Sequence, residues 1–158
     1  MKTSWKVTLP RLQETPAIYR TRSSIISPST VYEICSDLAT LSQEAGIVID
    51  VNTKNKIIDK RLISLGCLDS CILEPREIFK GAVTNSAASI FIVHNHPSGD
   101  ASPSPADIIL TRKLVQAGYI LGIKVIDHVI IGRGDNPFCS LRETGCVNFN
   151  ENTLDSSH

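Results

Sequence analysis

The chain has 158 residues, of which 42% are hydrophobic and 20% charged, and its formal net charge at pH 7 is zero. This length suits one domain with a proper core, and the composition is ordinary for a globular protein. Because the chain carries no basic block, a broad surface for nucleic-acid phosphates is not indicated, although a local patch stays open.

The cysteines and the apolar runs bear on the compartment. The five cysteines are odd in number, form no C-x-x-C pair and follow no signal peptide. No apolar run in the sequence approaches the length that crosses a bilayer. We therefore expect a cytoplasmic protein with reduced thiols and no membrane partner.

The first 26 residues show no helical period, and Pro10 and Pro16 interrupt them. They predict an extended N-terminal arm over 1–26. Such an arm could pair with a sheet edge or with a second subunit, so a homodimer through the arm is one partner to consider. Ser27 and Pro28 then open a helix expected over 28–41, since Ser suits the N-cap and Pro the first helical position.

The segments that follow alternate between strand and helix patterns. Strands are expected at 46–52, 57–65, 89–94, 123–131 and 138–142. Helices are expected at 75–87 and 105–121. In the last helix, the residues expected to face inward are Leu110, Leu114, Ala117 and Leu121. A polar tail is expected over 147–158.

The first two strands form a hairpin, which requires an antiparallel pair within the sheet. Helices alternating with strands favour helical layers on both faces of that sheet. The sequence therefore predicts an α/β fold: one three-layer domain over 27–146, with a mixed β-sheet flanked by helices.

Two histidines lie one residue apart at the end of the buried strand 89–94, at His94 and His96. Side chains alternate along a strand, so both rings can point the same way. Asp107 follows in the first turn of the next helix. Two imidazoles and one carboxylate suit a divalent metal, first of all Zn²⁺, and leave a fourth position for water as catalytic zinc sites do.

Each part of this pattern has a plainer interpretation. Ser104-Pro105-Ala106-Asp107 is a good helix start, so Asp107 could only complement the helix N-terminus, and the two roles can coexist. The letters His-Asn-His suggest a nuclease, but nucleases of that type take these residues from separated parts of a hairpin and helix. Two buried histidines with only a structural role would each need hydrogen-bond partners, which is expensive.

Three further titratable residues stand near the motif. His128 lies within an apolar strand and is expected to pack there with one hydrogen bond. Asp100 follows Gly99 and is expected to shape the loop, with a bond to an imidazole as the alternative. Glu44 opens the first strand and by itself indicates only a solvated surface residue.

The spacing from His94 and His96 to Ser104 and Asp107 resembles the JAMM motif of the JAB/MPN metalloprotease superfamily. The wider strings His94-Asn95-His96-Pro97-Ser98-Gly99-Asp100, Asp127-His128-Val129-Ile130-Ile131-Gly132 and Ser140-Leu141-Arg142-Glu143 are similar to the RadC family within it, over roughly 27–145. The resemblance implies an MPN/JAB (cytidine deaminase-like) fold and a general base at the position of Glu44.

The sequence departs from that family in two places. Longer RadC proteins carry a helix-hairpin-helix region, whereas only about 25 residues precede the domain here, so the short stand-alone form found in mobile elements is expected. Ala45-Gly46 also stands where bulkier residues usually follow the glutamate, which bears on the shape of the pocket.

The resemblance implies a zinc-dependent metallopeptidase or isopeptidase acting on a peptide or protein substrate. Glu44 would take a proton from the zinc-activated water and pass it to the leaving amine, and the Ser104 hydroxyl could donate to the oxyanion. A zinc nucleobase deaminase is disfavoured, since Cys67 and Cys71 do not form the Pro-Cys-x-x-Cys it needs.

The remaining alternative is a non-catalytic module, either DNA-repair-associated or partner-binding. The neutral charge and the few aromatic residues disfavour nucleic acid as the partner. The presence of all the motif residues disfavours a scaffold that has lost its chemistry.

Overall fold

The computed structural model describes residues 24–25, 27–66 and 73–150, and within them it shows five strands and three α-helices. The strands are β1 (Ala45–Val51), β2 (Ile57–Leu65), β3 (Ser89–Asn95), β4 (Lys124–Ile131) and β5 (Phe138–Ser140). The helices are α1 (Pro28–Cys35), α2 (Pro75–Thr84) and α3 (Pro105–Leu121), and a 3-10 helix (Ser36–Thr40) follows α1. Of the helices in these residues, none has the length and apolar character to span a membrane.

The five strands form one sheet in the order β2-β1-β3-β4-β5. β3 and β4 are parallel, and the other neighbours are antiparallel. α1 and the 3-10 helix cover one face, while α2 and α3 cover the other. The expected α/β fold, with three layers and a mixed sheet, is confirmed.

The side chains of β3 alternate between the two halves of the core. Phe91 and Val93 pack with α1 on one face, and Ile90 and Ile92 pack with α2 and α3 on the other. Because the period of a strand is two, His94 continues the set that faces α3. This alternation places the histidine motif between the sheet and the start of α3.

Two predicted helices end earlier than the sequence indicates. The helix expected over 28–41 is α-helical only to Cys35 and then tightens into the 3-10 helix. The helix expected over 75–87 ends at Thr84, because Ser86 adopts a positive φ of 52° and the Ala87 N–H bonds back to the Ala82 carbonyl. This αL turn satisfies a free carbonyl at the helix end.

The inward stripe predicted for α3 is wrong at Leu121, which is 51% exposed. The helix ends at Gly122, which adopts a positive φ of 70°, and the chain folds back so that the Ile123 N–H bonds the Gly118 carbonyl. Ile123, just after the helix, is buried instead and packs in the core beside α2 and α3. A Cβ on Gly118 would lie 2.4 Å from the Ile123 carbonyl oxygen, so the glycine permits this close approach.

The two ends of the predicted domain differ from expectation or lie outside the described residues. Val147 and Phe149 are buried in the core beside α2 and α3, so the predicted polar tail 147–158 begins with two packed side chains. Their apolar side chains gain more from the core than from solvent. In the predicted arm, Ser24 bridges Lys56 and Ile25 is buried. The rest of the arm lies outside the described residues.

A buried ion pair ties β1 to β2 and α2. Asp50 is fully buried, and the Nε and Nη2 atoms of Arg61 donate to its two carboxylate oxygens at 2.7 and 2.8 Å. Arg61 Nη2 also donates to the Ile78 carbonyl at 2.9 Å, and Asn85 Nδ2 donates to the Asp50 carboxylate at 2.7 Å. Both carboxylate oxygens of Asp50 therefore accept hydrogen bonds from these neighbours.

We expect Arg61→Ala to lower the free energy of unfolding by about 3–5 kcal/mol, since it leaves the Asp50 carboxylate buried without its cation. Urea unfolding of the full chain measures this change. Arg76 on α2 is exposed, and Arg76→Ala is the matched control, expected to change stability by less than about 0.5 kcal/mol. Equal stability of the two variants would contradict the role given to Arg61.

Candidate metal centre

The two histidines stand at the C-terminal end of β3. His94 is the penultimate residue of that strand and is buried, whereas His96 lies just beyond its end and is partly exposed. The His96 N–H donates to the Ile131 carbonyl at 2.9 Å, so the chain stays aligned with β4 at this point. The strand therefore delivers one ring to the interior and one to the rim of the site.

Asp107 is held in the first turn of α3 by a capping box. The Ser104 hydroxyl accepts from the Asp107 N–H at 3.1 Å, and Asp107 Oδ2 accepts from the Ser104 N–H at 2.8 Å. This is the N-terminal role that the sequence leaves open for Asp107. The same carboxylate also reaches both histidines, so the capping role leaves a place in a metal site open to Asp107.

The three side chains converge on one point. Asp107 Oδ1 lies 3.3 Å from His94 Nε2, and Asp107 Oδ2 lies 3.3 Å from His96 Nε2. The two Nε2 atoms are 3.0 Å apart. Two ligand atoms at zinc-bond length and tetrahedral angle are separated by roughly 3.4 Å. The donor set and its spacing therefore fit a zinc ion.

Electrostatics favours the ionised carboxylate. Burial alone raises the pKa of Asp107, but the imidazole rings of His94 and His96 beside its carboxylate outweigh burial and hold that pKa well below its ordinary value. The hydrogen bond with Asp107 raises the pKa of His96 against the effect of burial, and the charge of Glu44 adds to the rise. Asp107 is therefore charged at neutral pH, which is the form that binds a metal.

The second nitrogen of each ring also has a partner. His96 Nδ1 donates to the Asp100 carbonyl at 2.8 Å. His94 Nδ1 lies 2.7 Å from His128 Nε2, and His128 Nδ1 lies 2.6 Å from the Thr111 hydroxyl oxygen. Such partners orient metal-binding imidazoles.

Two expectations about neighbouring residues are refined by these contacts. The single hydrogen bond predicted for His128 is wrong, because its ring makes two, and its complete burial lowers its pKa well below the ordinary value. The Asp100 side chain shapes the loop as expected, accepting from the Ser102 N–H at 2.9 Å. The contact of Asp100 with an imidazole comes from its backbone carbonyl and not from its side chain.

Glu44 precedes β1 directly and is partly buried. The antiparallel register pairs Gly46 with His94, so continuing it by two residues brings Glu44 opposite His96. The effect of the Glu44 charge on the pKa of His96 agrees with this placement. Glu44 therefore lies at the rim of the site, on the side of the more exposed histidine.

Asn95 holds the segment around Glu44 and received no role in the sequence analysis. Its side chain is buried; Oδ1 accepts from the Ala45 N–H at 2.7 Å, and Nδ2 donates to the Gln43 carbonyl at 3.0 Å. These bonds lie on the two sides of Glu44. The only signal in the sequence is an amide at a strand position that faces the core.

The loop after His96 is fixed by Arg133, which was also missed. Its Nη2 donates to the Pro97 carbonyl at 2.6 Å, and its backbone N–H donates to the Gly99 carbonyl at 2.7 Å. A Cβ on Gly132 would lie 2.3 Å from that Gly99 oxygen, so only glycine allows the loop to approach so closely. Backbone carbonyls rather than side chains receive these bonds, which leaves little trace in the sequence.

The fold and the site define an α/β domain with a candidate metal centre between a strand end and a helix start. The model of the RadC-like JAB domain family matches residues 25–146. The chain belongs to this family, and the resemblance drawn from the sequence is confirmed.

The curated relatives that match this chain are longer than it is. It is 46% identical over 138 residues to a UPF0758 protein of Desulforamulus reducens, covering 87% of this chain and 59% of the relative. It is 50% identical over 127 residues to one of Caldanaerobacter subterraneus subsp. tengcongensis, covering 80% and 54%. One of Shouchella clausii is 47% identical over 125 residues, covering 78% and 54%. The chain thus spans little more than half the length of these relatives, whose names state no activity.

Proposed function

We propose that this protein is a zinc-dependent metallopeptidase or isopeptidase of the JAMM type, which hydrolyses an amide bond in a peptide or protein substrate. The observation that carries the proposal is the convergence of His94, His96 and Asp107 at the spacing of zinc ligands. Membership of the RadC-like JAB family supports it, because the JAB/MPN superfamily includes hydrolases.

The chain's own groups suit the binding step. His94 and His96 would bind through Nε2 and Asp107 through its carboxylate, which leaves one position of a tetrahedral ion open. Zinc held there supplies Lewis acidity and lowers the pKa of a coordinated water from about 15.7 towards 7. His94 is buried and His96 is partly exposed, so the open side of the site lies towards the rim.

Glu44 is the proposed general base. Its carboxylate would accept a proton from the attacking water and later deliver that proton to the leaving amine. Its position near His96 and the two Asn95 hydrogen bonds that flank it support this role. A base acts well only when its geometry is fixed, and Asn95 fixes the backbone here.

Ser104 is the proposed oxyanion donor. In the helix cap its hydroxyl oxygen uses a lone pair to accept from the Asp107 N–H. A hydroxyl has two lone pairs and one O–H, so capping does not consume the proton. That O–H can donate to the substrate oxygen as negative charge develops, a contribution worth roughly 3 kcal/mol in known cases.

Incubation of the zinc-loaded full chain with a peptide library and with isopeptide-linked substrates tests the proposal. We expect cleavage that stops on chelation and returns when zinc is restored. Cleavage that persists without metal would contradict the mechanism. A protein that holds one zinc per chain and cleaves nothing would favour the non-catalytic binding module.

Asn95→Ala is expected to keep zinc and to reduce the cleavage rate about 100-fold, the scale of a displaced catalytic group. The reason is that the segment on both sides of Glu44 loses its side-chain bonds. Steady-state rates and zinc content measure the two effects. Asn52→Ala is the matched control, because Asn52 Oδ1 likewise accepts from backbone N–H groups, of Lys54 and Lys56, but in the hairpin turn. Equal rates for the two variants would contradict the role of Asn95.

A further inference from the structure

A continuous series of hydrogen bonds connects two of the proposed zinc ligands through residues outside the proposed ligand set. It starts at the Asp107 carbonyl, 2.6 Å from the Thr111 hydroxyl oxygen. That oxygen lies 2.6 Å from His128 Nδ1, and His128 Nε2 lies 2.7 Å from His94 Nδ1. Thr111 and His128 are both fully buried, so water has no access to replace either of them.

The donor and the acceptor of each hydrogen bond in this series follow from the first bond. A carbonyl oxygen can only accept, and the Thr111 hydroxyl has a single proton. At 2.6 Å from the Asp107 carbonyl, that proton lies in the bond between the two oxygens. This is the bond to the carbonyl four residues back that helical threonines often make. The Thr111 oxygen can therefore only accept from His128.

The remaining protons are then assigned in turn. His128 must carry its proton on Nδ1 to donate to Thr111, and a buried neutral imidazole carries only one proton. Its Nε2 is therefore a lone pair, which accepts from the Nδ1–H of His94. His94 Nε2 is left unprotonated, and it is the nitrogen that faces His96 and Asp107.

The opposite direction would prevent metal binding. If Thr111 donated to His128 Nδ1, His128 would carry its proton on Nε2 and donate it to His94 Nδ1. His94 would then carry its own proton on Nε2. A protonated nitrogen has no lone pair for an ion. We propose that Thr111 and His128 are positioning residues that hold His94 in its metal-binding tautomer and thereby set the zinc affinity. This inference rests on the zinc site of the proposed function and adds to it what prepares one ligand.

Thr111→Val tests the inference, since valine has the shape of threonine without the hydroxyl. Zinc affinity is measured on the full chain by competition with a chelator of known strength. We expect the affinity to fall 10–100-fold, the range for loss of a partner of a metal ligand. Thr111→Ser restores a hydroxyl and is expected to stay within about threefold of the unchanged protein, a limit well below that range.

Thr84→Val is the matched control for the loss of a helical hydroxyl. Thr84 Oγ1 donates to the Lys80 carbonyl at 2.9 Å in α2, as Thr111 does in α3, but Thr84 is exposed and is not part of the hydrogen-bond chain. Its zinc affinity should be unchanged. Unchanged affinity in Thr111→Val, or an equal loss in Thr111→Ser, would overturn the inference. The proposed zinc site would still stand in that case if His94→Ala lost its zinc. No zinc binding by the unsubstituted chain would overturn the site itself.

A second measurement does not depend on any variant. Imidazole nitrogen shifts and proton couplings from NMR of the zinc-loaded chain identify which nitrogen of His128 carries the proton. The inference requires the proton on Nδ1 and a lone pair on Nε2. A proton on Nε2 would overturn it even if every variant behaved as expected.

Discussion

Glu44→Gln is expected to keep zinc bound and to reduce cleavage by at least about 10²–10⁴-fold, the loss typical of removing a general base. A glutamine can still hydrogen-bond the attacking water but cannot accept its proton at neutral pH. Glu44 lies just before β1, the strand next to β3, and is not one of the three proposed ligands. Zinc binding and activity should therefore separate in this variant. Rates on a cleaved substrate and metal content by mass spectrometry give the two values.

Asp100→Asn is the matched control, since it removes another carboxylate next to the histidine motif. Asp100 is exposed, and its side chain accepts from Ser102 in the loop. An asparagine oxygen can keep that bond, so activity should be unchanged. A large loss in Asp100→Asn with full activity in Glu44→Gln would transfer the base role to Asp100 and contradict the assignment.

His94→Ala and His96→Ala are each expected to abolish stoichiometric zinc. Each variant removes one of three ligands, and the two that remain cannot complete a tetrahedral site. Activity should vanish with the metal. His158→Ala, at the last position of the chain, is the control and should retain one zinc.

The two histidine variants are also expected to differ in stability. His94 is 3% exposed and bonded to His128, so its removal opens space in the core, whereas His96 lies at the rim. Thermal unfolding should therefore show the larger loss for His94→Ala. Undiminished zinc in both variants would rule out the proposed ligand set.

Local patterns explain why much of the site could be predicted from the sequence. The apolar run before His94 has the length of a strand, and Ser104-Pro105 marks a helix start. These two signals place the histidines at a strand end and Asp107 in the first turn of α3. β3 and α3 occur close to where the sequence places them. The proposed ligands then follow from the chemistry of imidazole and carboxylate groups.

The supporting residues could not be predicted, because their partners are distant in the sequence or belong to the backbone. Asn95 bonds residues 50 and 52 positions earlier, and Arg133 bonds a carbonyl 36 positions earlier. Thr111 and His128 are 17 positions apart. These contacts depend on the order of the strands in the sheet, which no local period reveals. The burial of Phe149 was missed for the same reason.

Diffraction from crystals of the full chain at the zinc absorption edge tests whether His94, His96 and Asp107 bind zinc. We expect one anomalous peak at about 2.0–2.2 Å from His94 Nε2, His96 Nε2 and a carboxylate oxygen of Asp107. The Glu44 carboxylate should lie within reach of a water on that ion, without binding the ion itself. A protein supplied with zinc that shows no peak there, or a peak bound by other residues, would rule out this zinc site.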